Sequence, residues 1–185
     1  MPAIGSLDGA RQVMNKCTLV LGGAASGKSA YAESLVFQTD RPRVYVATSQ
    51  AWDDEMRQKI ADHQAQRGPD WRTIEEPVDI TAALSGVTPQ EVVLIDCATL
   101  WLTNVMLGDL DLTAETDRLM SALAGCPAPV VIVSNETGLG IVPDNKLARD
   151  FRNAQGRLNQ TLAAQADAVV FVAAGLPLVM KGAVT

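Results

Sequence analysis

The sequence is poor in cysteine and in positive charge. Its 185 residues include three cysteines, which are widely spaced and form no CxxC pair, so neither a disulfide framework nor a zinc site is expected. We interpret them as buried thiols in a reducing cytoplasm. The formal net charge of -6 lacks the basic excess of nucleic-acid-binding domains, so no nucleic-acid partner is expected.

Long hydrophobic runs are missing as well. No apolar stretch approaches the ~20 residues of a membrane span, so no membrane-spanning helix is expected. Residues 1–16 lack a continuous hydrophobic region, and we interpret them as a flexible polar tail rather than a signal peptide. Residues 17–185 are enough for a single domain with a sizeable core.

The chain does contain short apolar runs that alternate with helical patterns. The runs are rich in β-branched residues without polar alternation, which is typical of strands buried on both faces of a parallel sheet. They cover 17–23, 43–48, 91–97, 129–135 and 167–175. Helices are expected near 28–37, 54–67, 98–107, 114–124 and 146–166. This order predicts an α/β fold, with a mostly parallel sheet between helices and right-handed crossovers. A short strand near 71–77 would be an insertion between core units.

The longest expected helix shows two faces. Its apolar residues recur at helical spacing and predict a buried stripe of Leu147, Phe151, Ala154, Leu158 and Leu162. Three arginines are expected on the opposite side, either as a solvated face or as a row facing an anion or another subunit: Arg149, Arg152 and Arg157.

A phosphate-binding motif follows the first strand. Gly22, Gly27, Lys28 and Ser29 match the pattern GxxxxGK[ST] in full, between a predicted strand and a predicted helix. Glycines allow a tight turn that brings N–H groups close to phosphate oxygens, and the helix directs its positive end there. Lys28 would bridge the β and γ phosphates, and Ser29 would ligate Mg²⁺. Because no GxGxxG is present, a Rossmann dinucleotide site is disfavoured.

Asp96 ends the apolar run of residues 92–95. An unpaired carboxylate there would cost on the order of several kcal/mol, so a partner is expected. That partner is either Mg²⁺ with its water shell or the N-terminus of the helix that begins at Ala98.

His63 is the only histidine of the chain. It shares one face of the helix at 54–67 with Met56, Ile60 and Arg67, so it is either a packed core histidine or a nucleophile or general acid–base. Further along the chain, the Glu75 carboxylate would either accept a hydrogen bond from a nucleotide base or ribose hydroxyl, or be solvated.

The loop SNETGLGIVPDN, residues 134–145, follows the fourth predicted strand, at the edge where such sheets bind ligands. Asn135 and Glu136 are placed there to contact substrate or orient a water. Asp144 or Asn145 is equally suited to cap the next helix.

Five stretches together resemble one family across nearly the whole chain after residue 17. They read LGGAASGKSAYAE, YVATSQAWDDEMRQKIADHQAQRGPDWRTIEEP, LIDCATLWLTN, SNETGLGIVPDNKLARDFRNAQGRLNQ and GLPLVMK. The family they resemble is the bifunctional adenosylcobinamide kinase/adenosylcobinamide-phosphate guanylyltransferase of cobalamin biosynthesis. The phosphate motif alone is generic, whereas ATSQAWDDEM and NETGLGIVPDN are far more specific.

The resemblance implies two reactions. ATP or GTP phosphorylates adenosylcobinamide, and GTP then donates GMP to that phosphate, through a guanylyl-histidine whose position here is His63. It also implies Mg²⁺, a RecA-like P-loop sheet with an inserted helix and short strand that carry the histidine, and a homotrimer. Lys28 would be catalytic beside His63, and Ser29 and Asp96 would hold the metal. The nucleotide contacts carried over by position are Gly22, Gly23, Ala24, Ala25, Ser26, Gly27, Lys28, Ser29, Ala47, Thr48, Ser49, Gln64, Ala65, Gln66, Arg67, Glu75 and Asp96.

The sequence departs from the family pattern at two places. Family loops commonly read GGARSGKS, and Ala25 stands where the arginine would add a phosphate contact. Some members have two adjacent histidines, whereas Asp62 precedes His63 here. The alternatives are a P-loop kinase of another small alcohol, which would have no use for His63, and a RecA-like nucleotide-binding subunit that acts through partners.

Overall fold

In a computed structural model of the chain, residues 14–50 and 70–184 are described. The strands are β1 (Cys17–Gly22), β2 (Arg43–Ala47), β3 (Trp71–Glu75), β4 (Val92–Asp96), β5 (Val130–Asn135), β6 (Ala168–Ala173) and β7 (Leu176–Lys181). The helices within these residues are α1 (Lys28–Phe37), α2 (Ile80–Leu84), α3 (Ala98–Leu107), α4 (Leu112–Gly125) and α5 (Lys146–Gln165). None of the helices in this part of the chain has the length and apolar character to cross a membrane.

The strands form one sheet of seven strands in the order β3-β2-β4-β5-β1-β6-β7. Every neighbouring pair is parallel except β6 and β7, which form an antiparallel hairpin. The chain leaves β1 in the interior of the sheet and returns at β2, beyond β5 and β4. The carboxyl ends of β1, β2, β4 and β5 therefore share one edge, where ligands bind in sheets of this kind.

The core lies on both faces of the sheet, as the uninterrupted apolar runs require. Successive strand residues point to opposite faces. Leu19 and Leu21 belong to the cluster that packs against α2, α3, α4 and α5. Val20 belongs to the other cluster, which packs against α1 and Trp71. The predicted α/β sandwich with a mostly parallel sheet is thus confirmed.

The short strand at Trp71–Glu75 is also confirmed, but it belongs to the main sheet. It pairs in parallel with β2 over its full length and forms one edge. The helix expected at 54–67, which would carry the histidine, lies outside the described residues. Two elements were not expected: the helix α2, which has five residues, and the strand β7, whose six residues are all exposed.

The buried stripe of α5 is shorter at its N-terminal end than predicted. Ala154, Leu158 and Leu162 are buried and Phe151 is half-buried, but the Leu147 side chain is 63% exposed. Leu147 is the second residue of the helix, and there the helix faces a surface cavity rather than the sheet. Of the three arginines, Arg157 is exposed, whereas Arg149 and Arg152 are half-buried.

Residues 14–16 lie against the domain. Met14 packs on the α1-side cluster, the Asn15 amide donates to the carbonyl of Ala183 (2.6 Å), and the Lys16 ammonium donates to that of Ala124 (2.7 Å). These contacts hold the start of β1 in place.

Candidate active site

The phosphate motif forms the turn between β1 and α1. Gly27 has φ of 90° and Ala25 has φ of 53°, both in the left-handed region that glycine adopts most easily. A Cβ at Gly22 would lie 2.6 Å from the carbonyl oxygen of Val172, so only glycine fits at the end of β1. Steric fit on the neighbouring strand therefore explains the first glycine of the motif, and backbone conformation explains the second.

The hairpin of β6 and β7 supports this turn from the side. The N–H of Gly175, between the two strands, donates to the carbonyl of Ser26 (2.8 Å). A Cβ at Gly27 would lie 3.1 Å from the Cα of Gly175, so the two backbones are in close contact. The turn is thus held by a part of the chain almost 150 residues further along.

Lys28 and Ser29 are the first two residues of α1 and complete the motif. The Lys28 ammonium donates to the carbonyl of Gly23 (3.2 Å), so its charge lies over the loop. The first N–H groups of the helix have no partner within it and carry the positive end of the helix dipole. Backbone donors and one ammonium thus converge on a small volume, an arrangement that binds phosphate groups.

Asp96 lies at the end of β4, opposite Ala47 of β2 and Val133 of β5. Its half-buried carboxylate accepts a hydrogen bond from the Tyr45 hydroxyl (3.0 Å). The N-cap residue of α3 is Cys97, and no side chain caps that helix. Helix capping therefore does not account for Asp96, and a carboxylate can accept further hydrogen bonds beyond the one from Tyr45.

Thr48 ties the end of β2 to the turn after β4. Its hydroxyl donates to the carbonyl of Cys97 (2.8 Å) and accepts from the Cys97 N–H (2.7 Å). Its carbonyl accepts from the Asn104 amide (2.8 Å). Burial, followed by the nearby Asp96 charge, raises the pKa of the Cys97 thiol to about 11, so this thiol is neutral and packs as an apolar group.

The end of β5 is anchored by a buried polar network beneath it. Asn159 of α5 accepts from the Ser134 hydroxyl (2.7 Å) and from the Gln155 amide (2.9 Å). The Asn159 amide donates to the carbonyl of Asn135 (3.0 Å). From the other side, the Thr99 hydroxyl accepts from the Asn135 N–H (2.8 Å). The backbone of Asn135 is therefore fixed on both sides, while its side-chain oxygen is buried and has no hydrogen-bond partner in the described part of the chain.

The loop between β5 and α5 is tied to the phosphate turn at its start and to α5 at its end. The Glu136 N–H donates to the carbonyl of Gly22 (3.0 Å), and the Glu136 carboxylate accepts from the Gly138 N–H. The Arg149 guanidinium donates to the carbonyls of Pro143 (2.9 Å) and Asp144 (2.6 Å). Asn145, one of the two residues considered for the cap, accepts from the N–H of Ala148 and caps α5.

The structure brings most of the sequence-predicted residues to one edge of the sheet. The turn of residues 22–29, the segment 47–49 and Asp96 lie at the carboxyl ends of β1, β2 and β4, and Glu75 ends the neighbouring β3. His63, Gln64, Ala65, Gln66 and Arg67 fall between the two described segments. The roles assigned to all these residues stay predictions.

The donor set suits Mg²⁺ shared with a nucleotide. Among the described residues no group of three or more histidines, cysteines, aspartates or glutamates is placed to hold a metal ion. Mg²⁺ needs no such group, because it binds through one or two carboxylates together with substrate phosphates and water. Ser29 at the phosphate turn and Asp96 on the same edge meet that requirement.

Several supporting residues were not anticipated from the sequence. Gln155 and Asn159 are spaced i, i+4 and lie next to Ala154 and Leu158 of the apolar stripe, so they are polar residues on the edge of a buried face. Asn104 interrupts the apolar helix α3 in the same way. Polar residues in such positions indicate buried hydrogen bonds, and this signal could have identified them.

A phosphate turn lies between β1 and α1, and an acidic residue, Asp96, ends β4, two strands away in the sheet. This combination defines a P-loop nucleotide-binding protein. Residues 18–180 match the family model described as cobinamide kinase / cobinamide phosphate guanyltransferase. The chain belongs to this family.

Named relatives are similar over most of both chains. The bifunctional adenosylcobalamin biosynthesis protein CobP of Pseudomonas aeruginosa is 44% identical over 167 residues, which cover 89% of this chain and 96% of that protein. CobU of Escherichia coli, which bears the same bifunctional description, is 41% identical, with 88% and 98% covered. Among solved structures, the RadB recombinase aligns with a TM-score of 0.49 and 15% identity, over 85% of this chain and 74% of that chain. A likeness at that level carries no argument about activity.

Proposed function

We propose that the protein phosphorylates adenosylcobinamide with ATP or GTP and then transfers GMP from GTP to the product, giving adenosylcobinamide-GDP. The observation that carries the proposal is the complete phosphate turn, with Lys28 lying over it and Asp96 on the same edge, in a chain of this family. The names of the relatives describe bifunctional proteins of adenosylcobalamin biosynthesis, which agrees with two activities.

In the first reaction, the acceptor hydroxyl forms a bond to the γ-phosphorus, and the bond between that phosphorus and its bridging oxygen breaks. Lys28 and the N–H groups of the turn hold the phosphates and stabilise the charge that develops. Mg²⁺, bound through Ser29 and Asp96, would supply further charge neutralisation for the leaving phosphates. The hydroxyl proton passes to solvent or to a nearby carboxylate.

In the second reaction, His63 is the nucleophile. A ring nitrogen forms a bond to the α-phosphorus of GTP, and pyrophosphate leaves. The phosphate of the acceptor then attacks the same phosphorus, the N–P bond breaks, and a phosphoanhydride forms. Splitting the transfer into two displacements lowers the barrier of each. The nucleotide would be contacted by the turn, by residues 47–49, by Gln64 to Arg67 and by Glu75.

The guanylyl step is tested with GTP labelled at the α-phosphate. The protein is incubated with Mg²⁺ and labelled GTP and then denatured, and we expect an acid-labile, alkali-stable label on the protein. His63→Ala should abolish it, which separates histidine from a lysine adduct of similar lability. A wild-type protein that never takes up label, yet phosphorylates an alcohol, would instead be a P-loop kinase with a single activity.

The kinase step is tested with Lys28→Ala. We expect phosphoryl transfer to adenosylcobinamide to fall by orders of magnitude, because the ammonium over the turn is lost. Lys16→Ala at the other end of β1 is the matched control, since Lys16 is exposed and the one hydrogen bond of its side chain within the described residues goes to the carbonyl of Ala124. Near-normal turnover of Lys28→Ala would contradict the role of the turn.

We further propose that the enzyme works in the cytoplasm as a homotrimer. The three cysteines are free and buried, which agrees with a reducing compartment. Light scattering coupled to size exclusion tests the trimer, and a monomeric mass at assay concentrations would contradict it.

A further inference from the structure

A surface cavity lies near the phosphate turn, beside the loop between β5 and α5. It is open to the surface, has a volume of about 490 Å³, and is lined by α3, by the first two turns of α5 and by the loop between β5 and α5. Its walls are mainly apolar and include Met106, Leu107, Leu147 and Phe151. This volume and this character are typical of pockets for small organic molecules.

The cavity is joined to the phosphate site through the backbone. Thr137 lines it, and the preceding residue, Glu136, donates its N–H to the carbonyl of Gly22 at the start of the phosphate turn (3.0 Å). Since consecutive Cα atoms are about 3.8 Å apart, the wall at Thr137 lies within about two residues of that turn. A molecule in the cavity can therefore extend a short arm toward the phosphates.

Two polar atoms have no hydrogen-bond partner among the described residues, one in this wall, at Thr137, and one two residues earlier, at Asn135. The Thr137 hydroxyl and the side-chain oxygen of Asn135 are both buried. Buried polar atoms are nearly always paired in proteins. Both atoms therefore point to a polar ligand group that lies between the cavity and the phosphate turn.

The outer rim of the cavity is apolar and exposed. Leu147 is 63% exposed, and the loop that forms the third wall carries Leu139 and Ile141, which are 82% and 96% exposed. Exposed apolar groups beside a pocket mark a binding surface. Their extent beyond the cavity suits a ligand whose body is too large to enter entirely.

The rim also carries one unpaired cation. The Arg152 guanidinium lines the cavity, is half-buried, and makes neither an ion pair nor a hydrogen bond within the described residues. An arginine in such a place suits an anion, and phosphate in particular.

We propose that this cavity is the acceptor site: it holds the arm and one edge of the corrinoid, and the macrocycle lies on the exposed apolar rim. The inference rests on the proposed function and locates its second substrate. The acceptor enters as a bulky, largely apolar alcohol, whose hydroxyl is directed past Thr137 and Asn135 to the phosphate turn. Once the acceptor is phosphorylated, we assign Arg152 to bind the new phosphate and so retain the intermediate in the cavity for the second reaction.

Leu147→Asp tests the site without disturbing the core, because the side chain is mostly exposed. We expect the KM for adenosylcobinamide to rise at least tenfold, whereas acceptor-independent labelling by GTP and the elution volume stay within error of wild type. Leu178→Asp on β7 is the matched control, since its side chain is 64% exposed and lies on the far edge strand. It should leave the acceptor KM unchanged.

An unchanged acceptor KM in Leu147→Asp would overturn the inference. A changed elution volume would also overturn it, because the rim would then be an interface between copies of the chain. If wild type neither takes up label nor turns over the acceptor, the proposed function fails. Equilibrium dialysis of cobinamide against wild type and Leu147→Asp tests binding in the cavity independently of both activities. Weaker binding to the variant supports the site, and equal binding refutes it.

Arg152→Gln tests the anion contact. The KM for the phosphorylated acceptor should rise at least fivefold, and that for the unphosphorylated acceptor should stay near the wild-type value. Equal effects on both substrates, or none on either, would contradict the assignment of Arg152.

Discussion

Replacing Asn159 with leucine measures how much the buried network beneath β5 stabilises the fold. Asn159 makes three hydrogen bonds, to Ser134, Gln155 and the carbonyl of Asn135. Leucine is similar in shape, so the main change is the loss of those bonds. Each contributes a net ~0.5–1.5 kcal/mol, so the free energy of unfolding should fall by about 3 kcal/mol. For a protein of this size that lowers Tm by on the order of 6–12 °C.

Urea unfolding followed by circular dichroism, at one fixed protein concentration, measures the change. Asn153→Leu is the matched control, because Asn153 is exposed on the same helix and makes no hydrogen bond with its side chain among the described residues. It should shift the free energy of unfolding by no more than about 0.5 kcal/mol. If Asn159→Leu costs less than ~1 kcal/mol, the network does not stabilise the strand end as argued.

Three further predictions concern the phosphate turn, the loop before α5 and two buried thiols. Gly27→Ala places a Cβ 3.1 Å from the Cα of Gly175 at φ of 90°, so the nucleotide affinity measured by calorimetry should fall at least tenfold. Gly156→Ala is the control, because its Cβ would have no atom within 4 Å, and it should leave the affinity unchanged. Equal affinities of the two variants would contradict the tight contact at Gly27. Arg149→Met removes two hydrogen bonds to the loop of residues 136–145, so limited proteolysis should cut this loop faster than in the exposed control Arg157→Met. Burial, and then the Asp167 charge, raises the pKa of Cys17 from 9.0 to about 11, and the pKa of Cys97 is also about 11, so the unfolded chain loses these protons first. Stability from both thiols is therefore complete below pH 9 and declines up to about pH 11, and Cys17→Ala/Cys97→Ala should flatten that decline in urea midpoints; an unchanged slope would refute the assignment.

The parts of the fold that sequence reasoning identified are those with a repeating pattern. The runs that became β1, β2, β4, β5 and β6 are mainly apolar and show no alternation of polar and apolar residues, because both faces of the sheet are covered. The strand β7 has five apolar residues among its six, but it contains Pro177, which the interior of a sheet disfavours, and all its residues are exposed. The helix α2 has only five residues, which is too short to show a period.

The residues of the candidate site also fall into those that a local sequence pattern predicts and those that it does not. The turn at residues 22–29 could be predicted because sterics and phosphate chemistry fix its residue types locally. Thr48, Gln155 and Asn159 act through partners distant in the chain, so no local pattern showed what they hold. Leu147 was predicted to be buried because periodicity cannot tell a core from a cavity at the end of a helix.

The contact of Gly175 with the phosphate turn has a consequence for how the enzyme matures on the ribosome. The motif ends at Ser29, yet the backbone that supports it, at Gly175, is made some 146 residues later. Both neighbours of β1 in the sheet, β5 and β6, are also made late. A nascent chain therefore carries an incomplete phosphate turn until the hairpin of β6 and β7 is made, and nucleotide binding should begin only after this hairpin has left the exit tunnel.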